Sequence, residues 1–107
     1  MIKIPMFSKK IIDCNIINVF AGTTCPGGGD SGHGGRTVFG IQDCASTDLR
    51  VQINDEQIKE VSEIKIILGG DAEYDTFIKA LEFALETLKN KYKENSEQQK
   101  SKDFFVE

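Results

Sequence analysis

Residues 27–36, GGGDSGHGGR, gather most of the groups in this chain that could do chemistry. After Gly27 come Gly28, Gly29, Gly32, Gly34 and Gly35, more glycine than a hairpin turn requires. Glycine lets the backbone bend into left-handed conformations and approach a ligand closely, and consecutive amides in such conformations form anion-binding nests. Between and after the glycines stand Asp30, Ser31, His33, Arg36 and Thr37: a carboxylate, two hydroxyls, an imidazole and a guanidinium able to bind in bidentate fashion. That equipment suits a phosphorylated or nucleotide-like ligand, with Arg50 assisting if its strand lies beside Arg36. The loop is not GxxxxGK[ST], and it is not GxGxxG entering a helix within a βαβ unit. Ligand binding is the leading expectation; a structural or oligomer-contact loop and a catalytic loop compete with it.

Cys14, Cys25, His33 and Cys44 form a nominal set of four metal ligands. If the strands flanking the loop pair about its centre, Cys25 lies opposite His33 and Cys14 opposite Cys44. At about 3.3 Å per extended residue the two pairs are then some 35 Å apart, whereas a zinc ion needs each ligand atom within about 2.3 Å. No CxxC is present, and neither a metal nor another cofactor is assigned. The same register would let Cys25 and His33 meet as nucleophile and base, the basis of a third-ranked reading as a Cys/His hydrolase. No catalytic residue is assigned, and the chain is expected not to be an enzyme. Asp13, Asp43 and Asp48 read as strand-end and turn residues, and Asp71 as a helix cap.

These groups must be held by the surrounding elements. Residues 11–24, IIDCNIINVFAGTT, are rich in β-branched side chains and read as a strand behind a short lead at residues 2–5. Residues 36–43 and 48–54 alternate as half-buried antiparallel strands, Asn54 and Asp55 supply a turn before residues 58–61, and residues 64–68 form a further strand. Gly69 and Gly70 end it. Residues 72–92 carry apolar positions every three or four residues, with Asp71, Glu73 and Asp75 at one end and Lys89, Lys91 and Lys93 at the other, as the helix dipole favours. The expected fold class is α+β: an antiparallel sheet of four to five strands with one long C-terminal helix packed on it. Residues 1–92 make a single domain, and residues 93–107 a flexible polar tail that ends in Phe104, Phe105 and Val106.

With 107 residues, such a domain buries only about 60 to 65% of its unfolded surface, so self-association would help it. The 13 Lys and Arg against 17 Asp and Glu give a net charge of -4, without the clustered basic face that sequence-independent nucleic-acid binding needs. No stretch approaches the ~18 apolar residues of a membrane span, and residues 1–20 do not resolve into a signal peptide. The expectation is a cytoplasmic homo-oligomer whose cysteines are reduced thiols.

The loop, the phrase CASTDLR and the join ILGGDAEYDTFIKALEFAL resemble small uncharacterised proteins carried by phages and prophages of Gram-positive bacteria, over about residues 19–88. In size, and in combining a sheet with helices, the chain is also similar to phage anti-defence sponges of the Thoeris type, which bind cyclic ADP-ribose isomers. That similarity implies a non-catalytic protein of the host cytoplasm that sequesters a nucleotide or cyclic-nucleotide immune signal. The alternative is an inhibitor or assembly protein that binds a macromolecular host partner through the helix face, the acidic surface or the tail.

Overall fold

The computed structural model describes residues 2–29, 33–90 and 103–106. Its main element is an antiparallel sheet of β1 (Met6–Ile12), β2 (Ile16–Thr23), β3 (Arg36–Ala45) and β6 (Glu63–Gly69), ordered β1-β2-β3-β6. Two short strands, β4 (Arg50–Val51) and β5 (Lys59–Glu60), pair separately, and one helix, α1, spans Asp71–Asn90. The fold is α+β, as the alternation and the helical periodicity indicate.

The long apolar run at residues 11–24 is two elements. Ile11 and Ile12 close β1, and a turn at residues 13–15 reverses the chain into β2. Asp13 makes this turn by donating its backbone N–H to Asn15 O at 2.9 Å and accepting the Cys14 N–H on its carboxylate at 3.0 Å. Side-chain oxygens of Asp and Asn offer the backbone local partners that compete with the ladder, and here they interrupt it. The lead at residues 2–5 lies outside any strand.

Register sorts the side chains. The row Phe7, Ala21, Phe39, Ile66 and the row Lys9, Val19, Ile41, Ile64 lie on one face. Between them, on the opposite face, runs the row Ser8, Phe20, Gly40, Lys65. The first face is mainly apolar, with Lys9, Thr23, Thr37 and Asp43 as its polar members, whereas the second mixes Lys10, Asn18, Gln42 and Glu63 with Phe20 and Val38. Among the described residues Phe20 is the buried hydrophobic side chain, at 8% exposure. Its ring lies against Gly40 and within 5.9 Å of the Lys65 ammonium. On the apolar face Phe7 remains 76% exposed and Ile66 42%.

Pairing between β2 and β3 shifts by one residue at its far end: Ile17 faces Asp43 but Ile16 faces Ala45, leaving Cys44 as the extra residue of a bulge. The predicted strand at residues 48–54 shortens to Arg50–Val51. Asn54 and Asp55 both adopt positive φ, 53° and 59°, and Glu56 N donates to Ile53 O at 3.0 Å, so the expected turn forms as a tight I′-like reversal.

The chain divides into two compact units, Met1–Thr76 and Phe77–Glu107. The first holds both sheets and the opening of α1. In the second, the apolar positions Leu81, Phe83, Leu85 and Leu88 of α1 are exposed, as are Phe104, Phe105 and Val106. The expected extension of the helix to residue 92 and the polar stretch at residues 93–102 lie outside the described residues.

Candidate functional site

The site is built where β2 ends, β3 begins and α1 starts. Arg36 pairs with Gly69, so one residue further along β6 Gly70 N donates to Gly35 O at 2.8 Å. That pairing carries Asp71, the first residue of α1, up to the glycine loop.

There the Asp71 carboxylate accepts four backbone N–H groups. Gly27 and Gly35 donate to Oδ1 at 2.8 and 3.1 Å, and Gly28 and Gly29 donate to Oδ2 at 2.7 and 3.3 Å. Asp71 N in turn donates to Gly29 O at 3.2 Å. Gly28 reaches this arrangement at φ +84°, which a side chain would resist. Donation from Gly27, Gly35 and Gly28, and secondarily Gly29, holds the Asp71 carboxyl well below the usual carboxylate range. The start of α1 adds to this, since a helix N-terminus favours negative charge. Asp71 is therefore not the helix cap: Tyr74 N donates to Gly70 O at 3.3 Å, so Gly70 occupies the capping position and frees the Asp71 side chain for the loop.

The loop is thus an anion nest of the kind its glycines suggested, and the anion in it belongs to the same chain. Of the residues expected to contact a ligand, Gly28, Gly29 and Gly35 give their amides to Asp71. Arg36 Nη1 donates to the carbonyls of Gly34 and Gly35 at 3.0 and 3.1 Å, so its guanidinium braces the loop's descending limb. Thr37 is buried at 8% exposure, its hydroxyl 2.8 Å from that of Thr23. His33 is exposed on the loop. Asp30, Ser31 and Gly32 lie outside the described residues. Arg50 is not brought to the site: β3 has β2 and β6 as neighbours, whereas β4 pairs with β5. There Arg50 forms a two-pronged pair with Asp48, Nε to Oδ1 at 3.0 Å and Nη2 to Oδ2 at 2.8 Å.

The centred register expected for the loop is also corrected, by two residues. Thr23 faces Thr37, which sets Cys25 against Gly35 and not His33. The Cys25 Sγ lies 3.7 Å from both Thr37 Oγ1 and Gly70 O. A Cβ on Gly35 would come within 2.6 Å of that sulfur. Cys14 sits in the turn after β1 and Cys44 in the bulge, so the two do not face each other in the ladder. The register that would have made Cys25 and His33 a dyad is therefore absent. The Cys25–Pro26 peptide bond is cis.

A second concavity, about 300 Å³, is lined by Asp43, Asp48 and Glu60 together with Ser46 and Thr47. Two of its carboxylates have structural duties: Asp48 holds Arg50, and Asp43 Oδ1 accepts Thr47 N at 3.2 Å.

Sequence reasoning missed Asp71 as the anion and Gly27 as a donor. The signal was the LGGD phrase, legible only once residues 36 and 69 are known to pair. Comparison with protein-family models, with characterised proteins and with solved structures finds no match to this chain. Among the described residues no helix is long and apolar enough to cross a membrane.

Proposed function

We propose that the protein works without catalysis, as an inhibitor or assembly protein that binds a protein partner through the apolar face of its four-stranded sheet. The observation that carries this reading is the exposure of Phe7, Ile11 and Ile66, which the ladder sets on one face of the sheet. Exposed apolar side chains grouped on one face mark an interaction site. On the ladder of that face the charged residues are Lys9 and Asp43 alone, which suits a protein surface and not a phosphate backbone. Partner capture by the full chain from a host-type lysate, followed by calorimetry with the purified partner, tests it. Binding is expected to survive Arg36→Ala and to fail in the Phe7→Ser/Ile11→Ser variant. Loss on Arg36→Ala with the sheet variant still binding would overturn it.

The second reading is the phage-type sponge, a binder of a small phosphorylated or nucleotide ligand. Its support is that Asp71 holds the amides of Gly27, Gly28, Gly29 and Gly35, so Arg36 stands on a preorganised support next to them. In this reading side chains make the contacts and the amides do not. A free anion would have to displace a tethered carboxylate whose effective concentration is about millimolar or higher. Thermal-shift screening of nucleotides and cyclic nucleotides, with His33→Ala as the control, tests it; the same shift in the control, or no shift at all, counts against it.

A further inference from the structure

The main sheet has two edges of equal length, and the sequence treats them differently. β1 is guarded: Pro5 precedes it, and Lys9 and Lys10 put a charge on each of its faces. Lysine and proline on an edge strand discourage pairing with another chain. β6, reading EIKIILG, has Ile64, Ile66 and Leu68 on one face, and on the other Lys65 stands 3.9 Å from Glu63, its own neighbour two residues away. Ile66 is 42% exposed and Ile67 69%.

We propose that β6 is a homodimer edge, pairing antiparallel with β6 of a second copy about a two-fold axis at Ile66. The choice of occupant follows from symmetry. In a two-fold antiparallel pair using a whole strand, the central residue faces itself. For β1, Met6–Ile12, that residue is Lys9, so self-pairing sets ammonium on ammonium. For β6, Glu63–Gly69, it is Ile66. Ile64 then faces Leu68 of the other copy twice over, Lys65 faces Ile67, and Glu63 faces Gly69. No like charges lie directly opposite. A β1–β6 contact would be heterologous and would leave an open edge at each end; the β6 pair closes on itself and leaves only the lysine-guarded edges outside.

The product is a continuous eight-stranded sheet in which the apolar rows of the two copies run on from one to the other across Ile66. The pairing also sets Ile66 and Ile67, both exposed in a single copy, against a neighbouring strand. This inference does not depend on which partner the sheet face binds, and its test is separate.

Sedimentation of the full chain at micromolar concentration is expected to give twice the monomer mass. Ile66→Lys, which places ammonium on ammonium at the axis, is expected to give monomer, with far-UV circular dichroism confirming the fold. Phe7→Ser leaves the dimer intact and so separates this edge from the sheet-face reading. In a Cys14→Ser/Cys44→Ser background, Ile66→Cys is expected to form a disulfide-linked dimer on mild oxidation, since a self-facing pair in a sheet is within disulfide reach, and Lys9→Cys is not. This arm stands even if Ile66→Lys fails to fold. A monomeric wild-type chain, or crosslinking through position 9 and not 66, overturns the proposal.

Discussion

At the residue scale, Asp71 is the pivot of the molecule. A single carboxylate takes four amide donors and so ties β2, β3 and α1 together at one point. Asp71→Asn would keep the shape but set its NH₂ group against amides that also donate; a fall of several degrees in melting temperature is expected, read by calorimetry at neutral pH. The pH dependence follows from the lowered Asp71 pKa. An unfolded aspartate protonates near about 3.9, while the folded one holds its charge to lower pH, so acid favours the unfolded chain. The stabilisation is fully present above that value and is lost as pH falls below it toward the folded value. In Asp71→Asn this part of the acid transition should disappear, and an unchanged acid limb would count against the clasp. Gly35→Ala drives a Cβ to within 2.6 Å of Cys25 Sγ and 2.8 Å of Cys25 N. Overpacking of this kind costs about 1 to 3 kcal/mol, measurable in urea titrations, and here it also displaces an Asp71 donor. The glycine content of the loop and its capacity for anions were readable from residue types. That the anion is Asp71 was not, because 36 residues separate Gly35 from it.

At the element scale, β3 is the organiser, with a partner along both edges. Gly40 lies at its centre and leaves room for the Phe20 ring, so a Cβ there would meet both the ring and Ile64 O, the latter at 2.6 Å. Gly40→Ala should therefore destabilise by about 1 to 3 kcal/mol through overpacking. Phe20→Ala should cost about 3 to 5 kcal/mol through the cavity it leaves, with denaturant midpoints as the readout. If Phe20→Ala were the milder change, the ring would not be the core contact described. Alternation and turn residues made β3, β6 and the Asn54-Asp55 reversal legible. The turn at residues 13–15 hid inside an apolar run because Cys14 is small and apolar and only Asp13 and Asn15 break the pattern. Helical periodicity located α1 to within a residue at its start, Asp71 against the expected 72. It misassigned the cap because a glycine at residue 70 can serve there as well as an aspartate.

At the scale of the whole molecule, many apolar side chains among the described residues are exposed. Phe7, Ile11, Ile12, Ile66 and Ile67 of the sheet are exposed, and so are Phe83, Leu85 and Leu88 of the helix. Surface substitutions on such a face usually change stability by no more than about 0.5 kcal/mol. Phe7→Ser/Ile11→Ser should accordingly leave the urea midpoint nearly unchanged while abolishing partner binding; a large loss of stability would mean that the face is internal packing and not a docking surface. What the sequence by itself determined is local: strand alternation, turn chemistry, helix period, a loop able to bend around an anion, and an acidic net charge. Those properties depend on neighbours within a few residues, so composition and spacing are enough to read them. Only the tertiary structure decided what fills the loop, where Arg50 goes, which residue faces Cys25, and that β1 and β6 are the edges of the main sheet. Each of these depends on strand register between distant segments, and a shift of one or two residues changes every facing pair without altering local pattern.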